Sequence, residues 1–98
     1  MSKQALLIID MLNDFVREGA PLEVPMTRTI LPALQTRLAE ARARGVPVIY
    51  ICDAHRPDDP EFSRMGWPPH AVKGTEGAEV APELAPLETD PVVEKTSY

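Results

Sequence analysis

The sequence has 98 residues, which is enough for one small domain. Ten basic and fifteen acidic residues give a net charge of −5, which argues against nucleic acid as a partner because phosphate binding needs clustered lysine and arginine. No segment reaches the roughly 18 apolar residues of a membrane helix, so we expect no membrane partner. The single cysteine, Cys52, excludes an internal disulfide and is compatible with the reducing cytoplasm.

The first predicted element is a β-strand over residues 5–9, a continuous apolar run that ends at Asp10. Residues 46–52 have the same character and end at Asp53, and residues 91–95 form a third, weaker strand. Continuous rather than alternating apolarity indicates strands buried on both faces of a parallel sheet. The first run is also too short for a signal-peptide core, which again favours the cytoplasm.

Between the first two strands, residues 27–44 have the periodicity of an amphipathic helix, followed by Gly45 as a left-handed cap. Pro32 is expected to fit only near the first turn, which leaves the start of the helix open. The apolar residues of the predicted buried face are Ile30, Leu34, Leu38 and Ala41. The basic residues predicted to form a solvated face are Arg37, Arg42 and Arg44.

Strand, helix and strand in this order predict a βαβ unit with parallel strands, and hence an α/β fold. Ligands of such open sheets bind outside the carboxyl ends of the strands. Asp10, Asp53 and Lys95 each lie at or just after such an end, so we expect them to meet at one edge. Ordinary polar residues at strand ends are the alternative explanation. One long helix covers only part of such a sheet, which predicts a bare edge that further sequence or another chain covers.

The segment 53–79 carries most of the reactive side chains, and we interpret it as one long loop. Asp53 and His55 point the same way in an extended segment and can reach one ion, and His70 follows two prolines. One aspartate and two histidines suit zinc, iron or manganese better than calcium. Histidines in an acidic loop are more commonly solvated or hydrogen-bonded, which is the alternative.

Among the acidic residues of this segment, Glu61 is a possible fourth ligand. The acidic residues expected to be mostly solvated are Asp58, Asp59 and Glu61 itself.

Three pieces of the sequence together resemble the isochorismatase-like cysteine hydrolases, and among these the nicotinamidase/pyrazinamidase branch. They are LIIDMLNDF at 7–15, DAH at 53–55 with WPPHAVKGTEGAE at 67–79, and VVEKTSY at 92–98. The resemblance implies an α/β fold with a partial parallel sheet, in the Rossmann-like three-layer style of these hydrolases. Residues 1–98 would form the N-terminal portion of a single domain whose nucleophile-bearing half is absent.

The resemblance also implies roles for individual residues. Asp10 would match the aspartate that takes the proton of a cysteine thiol, and Lys95 the lysine that orients the site and stabilises negative charge. Aromatic walls of the substrate pocket would be Phe15 and Trp67. The metal ligands would be Asp53, His55 and His70, with Glu61 as the possible fourth. The implied cofactor is a divalent transition metal, zinc in the first place and iron or manganese as alternatives.

The implied reaction is metal-assisted, cysteine-dependent hydrolysis of a small amide, with nicotinamide converted to nicotinate and ammonia. Leu12 and Ala71 depart from the residues that nicotinamidases often carry, so another small amide or a carbamoyl compound is an alternative substrate. A non-catalytic module that retains the pocket is a second alternative.

Cys52 is interpreted as a buried, inert thiol rather than the nucleophile. We therefore expect the 98-residue chain to be inactive alone and to have the remainder of the domain or a second chain as its partner. We also expect a homo-oligomer.

Overall fold

The computed structural model describes residues 3–96, so Ser97 and Tyr98 of the third motif lie outside the described residues. Three parallel strands form one sheet in the order β1–β2–β3. The strands are β1 (Leu6–Ile9), β2 (Val48–Asp53) and β3 (Val92–Lys95). The α-helices are α1 (Asn13–Val16), α2 (Met26–Ala43) and α3 (Pro60–Met65), and 3₁₀ helices span Glu76–Ala78 and Pro82–Leu84. The predicted α/β class and parallel sheet are confirmed.

The register of the sheet brings the strand ends together. Ile9 of β1 is paired with Ile51 of β2, and the Asp10 N–H donates to the Ile51 carbonyl at 2.8 Å. Asp53 of β2 is paired directly with Lys95 of β3. Because all three strands run the same way, their charged ends lie at one edge of the sheet, as the sequence predicts.

One face of the sheet is packed and the other is open. Ile8, Tyr50 and Cys52 are buried in a core to which α2 also contributes. The alternate residues of β1, Leu7 and Ile9, are 47% and 52% exposed. The predicted burial on both faces is therefore wrong for one face within residues 3–96. A continuous apolar run shows that both faces of a strand are suited to burial. Residues 3–96 bury only one face of this sheet. In this part of the chain no helix is both long and apolar enough to cross a membrane.

Helix α2 differs from its prediction in two respects. Pro32 lies in the second turn rather than the first, and the helix continues through it. Ile30 is 45% exposed, whereas Leu31 is buried. Leu31 precedes the buried Leu38 by seven residues and so lies nearly in line with it, whereas Ile30 is displaced by about 80° around the helix. The predicted cap at Gly45 is confirmed by its left-handed φ of 71°.

Arg42 does not belong to a solvated face, although Arg37 and Arg44 are exposed as predicted. Its guanidinium lies 2.9 Å from Asp90 and 3.4 Å from the hydroxyl oxygen of Tyr50. That hydroxyl donates to the carbonyl of Leu84 at 2.6 Å. The network ties α2 and β2 to the segment that precedes β3, which a charge pattern read along the helix alone does not reveal.

Candidate active site

The segment 53–79 is not a single loop, because α3 and the 3₁₀ helix Glu76–Ala78 interrupt it. Helix α3 begins where Asp59 caps it: Oδ1 of Asp59 accepts the N–H of Glu61 at 2.8 Å. Pro60 follows at the first helical position, and Gly66 ends the helix with a left-handed φ of 69°. An acid followed by proline and, further on, glycine is a recognisable signature of a short helix.

Asp10, Asp53 and Lys95 form an ion-paired group at the carboxyl end of the sheet. The Lys95 Nζ lies 2.9 Å from Asp10 Oδ2 and 2.5 Å from Asp53 Oδ1. The backbone N–H of Asp53 donates to Asp10 Oδ1 at 2.9 Å. Burial works to lower the pKa of Lys95, but the hydrogen bonds and negative charges of Asp53 and Asp10 outweigh it and raise that pKa overall. Lys95 is therefore an ammonium at neutral pH.

Asp10 itself has a left-handed backbone with φ of 55°. This conformation is uncommon outside glycine, although aspartate and asparagine tolerate it better than other residues do. Both oxygens of the side chain are engaged, one by Asp53 and one by Lys95. Backbone strain of this kind clusters at functional sites, where the surrounding structure holds it in place.

Asp53, His55 and His70 present three potential metal-ligand atoms that lie within 4.8 Å of one another. All three residues are buried, with exposures of 4%, 1% and 2%. His55 Nε2 lies 3.6 Å from Asp53 Oδ2 and has no hydrogen-bond partner among residues 3–96. A buried nitrogen without a partner, beside a carboxylate and a second imidazole, fits a divalent transition metal such as zinc.

The second ring nitrogen of each histidine is already occupied. His55 Nδ1 lies 2.9 Å from Asp59 Oδ2, and His70 Nδ1 lies 2.9 Å from the Pro68 carbonyl oxygen. The hydrogen bond from the Glu61 N–H, and then that from His55, lower the pKa of Asp59, which is therefore ionised. Since a carbonyl and a carboxylate only accept, Nδ1–H is the donor in both rings and the Nε2 lone pairs are free to bind.

The acidic residues of this segment do not share one environment. Asp58 has a 76% exposed side chain and is solvated as predicted. Glu61 is only 6% exposed, and its Oε2 lies 3.8 Å from His55 Nε2, beside the three converging ligand atoms. Asp59 contacts His55, which the sequence did not predict. Helix α3 turns these two residues inward, whereas a loop would have left them in solvent.

A cavity of about 650 Å³ opens beside these groups, a volume suited to a small molecule. Asp10, Asp53 and His70 line it together with Phe15 and Trp67. The rings of Phe15 and Trp67 lie edge-on to the His70 imidazole, with centroid separations of 5.5 and 5.8 Å. Five of the predicted site residues thus line one cavity, and Lys95 and His55 lie directly behind its wall, in contact with Asp10 and Asp53.

A family model, the isochorismatase domain, matches residues 4–98. The chain belongs to the isochorismatase family. It is 38% identical over 101 residues to the nicotinamidase/pyrazinamidase of Mycobacterium tuberculosis, an alignment that covers 97% of this chain and 53% of that protein. Members of this family include amidohydrolases, and the predicted family membership is confirmed.

Solved structures of the family share the fold. An isochorismatase-like hydrolase from Alkaliphilus metalliredigens is 45% identical with a TM-score of 0.89, over 96% of this chain and 52% of that one. The pyrazinamidase of Pyrococcus horikoshii, solved in complex with zinc, is 28% identical with a TM-score of 0.84, over 99% of this chain and 54% of that one. The chain therefore spans about half the length of the relatives it matches.

Asp14 supports the loop that presents His70, a role that sequence reasoning missed. Its Oδ2 accepts the N–H of Ala71 at 2.7 Å, and Ala71 is fully buried with a left-handed φ of 47°. Gly77 lies so close on the other side that a β-carbon there would overlap the Asp14 carboxylate. In the sequence Gly77 reads as an ordinary turn residue, because the approach of a distant side chain leaves no local signal.

The cysteine of this chain, Cys52, is poorly suited to nucleophilic attack. It is buried, with 6% exposure, as predicted. Burial, and then the negative charges of Asp10, Glu94 and Asp53, raise the pKa of the Cys52 thiol to about 11. At neutral pH it is therefore a protonated thiol, whereas cysteine nucleophiles react as thiolates.

Proposed function

We propose that this chain supplies the metal-binding and proton-transfer residues of a cysteine-dependent amidohydrolase that converts nicotinamide to nicotinate and ammonia. One observation carries the proposal. Asp10, Asp53 and His70 line one cavity together with two aromatic side chains, where Asp10 is paired with Lys95 and the ligand atoms of Asp53 and His70 cluster with that of His55. The 38% identity to a nicotinamidase/pyrazinamidase supports the choice of a small aromatic amide.

The metal would be held by Asp53, His55 and His70, with Glu61 close enough to serve as a fourth ligand. Zinc is the first choice, because the donor set suits it and the similar pyrazinamidase was solved with zinc. When bound, the ion would hold the pyridine nitrogen of nicotinamide. Phe15 and Trp67 would then contact the aromatic ring and keep water away from it.

Asp10 would act as the general base. It takes the proton from a cysteine thiol, and the thiolate attacks the amide carbon. The carbon–nitrogen bond then breaks: the departing nitrogen takes the proton from Asp10 and leaves as ammonia, and a thioester remains. Water, deprotonated by Asp10, hydrolyses the thioester to the acid and regenerates the thiol. The Lys95 ammonium, 2.9 Å from Asp10, would orient that carboxylate and stabilise negative charge during both steps.

The nucleophile of this reaction has to lie outside the 98 residues, because Cys52 is the single cysteine of the chain and is a buried, protonated thiol. We propose that residues 1–98 form the N-terminal portion of one hydrolase domain, whose remainder, in the same polypeptide or a second chain, provides the cysteine. A homo-oligomeric state and a cytoplasmic location stay predictions.

The decisive measurement is ammonia release by the assembled enzyme, compared between nicotinamide, other small amides and carbamoyl compounds. We expect nicotinamide turnover that is lost on metal chelation and restored by zinc, and no turnover by the 98-residue chain alone. His70→Ala should reduce bound zinc in elemental analysis, whereas the exposed Asp58→Asn should not. Unchanged zinc in His70→Ala, or turnover by the 98-residue chain, would refute the proposal. Preference for a carbamoyl compound would redirect only the substrate assignment.

A further inference from the structure

We propose that Asp59 is a positioning residue of the metal site: its carboxylate holds His55 in the tautomer and orientation that direct Nε2 toward the ion. The inference rests on the metal site of the proposed function and extends it to a residue outside the ligand set. Asp59 has no place among the residues that the family resemblance assigns. Its contact with His55 exists because α3 begins at this point of the chain.

The two carboxylate oxygens of Asp59 make two different hydrogen bonds. Oδ1 accepts the N–H of Glu61 at 2.8 Å and caps α3, while Oδ2 accepts from His55 Nδ1 at 2.9 Å. The carboxylate cannot rotate without giving up one of these bonds. The start of the helix therefore fixes the acceptor, and the acceptor in turn fixes the imidazole.

Among the contacts of His55, the hydrogen bond to Asp59 is the one that determines which tautomer the imidazole adopts. The imidazole is 1% exposed and packs against the rings of Phe62 and His70, with centroid separations of 5.0 and 5.1 Å. These ring contacts limit tilting of the imidazole but do not decide which nitrogen carries the proton. The carboxylate oxygens nearest Nε2, those of Asp53 and Glu61, lie at 3.6 and 3.8 Å, beyond hydrogen-bond distance. The 2.9 Å bond from Nδ1 to Asp59 therefore decides the position of the proton and leaves Nε2 as the buried nitrogen that faces Asp53.

His70 offers an internal contrast. Its Nδ1 is held by the backbone carbonyl of Pro68, which no substitution at Pro68 removes. Among the two imidazole ligands, only His55 thus depends on another side chain for its proton position. A carboxylate partner also makes the ligating nitrogen more basic than a carbonyl partner does, so Asp59 should strengthen the bond from His55 to the metal.

The variant Asp59→Asn separates the two roles, because asparagine caps helices about as well as aspartate. Its amide has one oxygen, and if that oxygen keeps the Glu61 N–H, the NH₂ group faces His55 Nδ1. Two donors would then oppose each other, and the imidazole proton should move to Nε2. We expect about 10- to 100-fold weaker zinc binding, measured with Zn²⁺ alone against a chromophoric chelator. The urea midpoint of the metal-free protein should stay close to that of the wild type.

Two further variants make the comparison sharper. Asp58→Asn removes the same charge one residue away. Asp58 has a 76% exposed side chain and pairs with Arg56 at the surface, so the zinc affinity of this variant should match the wild type. Asp59→Ser keeps an oxygen that can cap the helix, but the serine side chain is too short to reach His55. This variant should therefore weaken zinc binding as Asp59→Asn does. Proton–nitrogen correlation spectra of the metal-free proteins should show His55 protonated on Nδ1 in the wild type and on Nε2 in Asp59→Asn.

The outcomes distinguish the inference from the proposed function. Zinc affinity in Asp59→Asn and Asp59→Ser that equals the wild type, or an unchanged His55 tautomer, would overturn the role of Asp59 while leaving the metal site intact. A wild-type protein that binds no zinc would overturn the metal site, and the inference with it. Weaker zinc binding with a shifted tautomer and an unchanged urea midpoint would establish the role.

Discussion

The ammonium of Lys95 lies 2.9 Å from the Asp10 carboxylate, although 85 positions separate the two residues in the chain. The same ammonium contacts Asp53, whose other oxygen faces His55. One cation thus pairs with two carboxylates and joins the proposed proton-transfer pair to the candidate metal ligands. The two halves of the site share Asp53, yet their other members are distinct, so substitutions can separate proton transfer from metal binding.

Asp10→Asn should abolish proton transfer while it preserves the fold. Asparagine tolerates the left-handed backbone at this position and keeps an oxygen that can accept the Asp53 N–H, but it cannot take the thiol proton. We expect ammonia release by the assembled enzyme to fall by about 100- to 10,000-fold. Elemental analysis should find an unchanged zinc content, since Asp10 is not among the three converging ligands. Retained activity would refute the general-base assignment.

Gly77→Ala should destabilise the protein through Asp14 rather than through backbone strain. The added β-carbon would displace the Asp14 carboxylate and break its bond to the Ala71 N–H, beside His70. The expected loss in the free energy of unfolding is about 1–3 kcal/mol in urea denaturation. In an Asp14→Ala background the same substitution should cost less than about 0.5 kcal/mol, because its steric partner is gone. Equal costs in both backgrounds would contradict this explanation.

Cys52 should resist alkylation in the folded protein. Its pKa of about 11 predicts negligible reaction with iodoacetamide at pH 8, and rapid reaction after denaturation in urea. The folded-state pKa is raised, so the contribution of this thiol to stability is fully present below its ordinary pKa of 9.0. That contribution is lost as the pH rises through about 11. Cys52→Ala should remove this part of the alkaline loss of stability, and ready alkylation of the native protein would be evidence against it.

Tyr50→Phe should weaken the fold without affecting the site. The hydroxyl of this fully buried side chain donates to the Leu84 carbonyl at 2.6 Å, and phenylalanine would leave that acceptor unpaired. We expect a loss of about 1–3 kcal/mol in the free energy of unfolding. Zinc affinity should match the wild type, because the hydroxyl of Tyr50 bonds to Leu84 and Arg42 and not to a candidate ligand. A stability equal to the wild type would indicate that another donor replaces the hydroxyl.

Much of the architecture follows from local patterns. The three apolar runs predict the strands within a residue or two, and the placement of charged residues after them predicts the group formed by Asp10, Asp53 and Lys95. The rule that parallel strands end at one edge is sufficient for this. The buried face of α2 was harder to predict from the sequence. Ile30 and Leu31 both satisfy an approximate helical period, and only packing shows which of them is buried.

By itself, the sequence determined the class of fold, the family and the residue types available for chemistry, since these depend on periodicity, strand ends and motif strings. The tertiary structure alone decided which acids enter the site. The sequence offered Glu61 as a possible fourth ligand but gave Asp58 and Asp59 the same expectation. In the structure Asp58 is solvated, Asp59 holds His55 and Glu61 lies beside the candidate ligands. It also decided that a side chain at Gly77 would displace the Asp14 carboxylate. These outcomes depend on distances between residues far apart in the chain or turned inward by a short helix, and no local pattern encodes such distances.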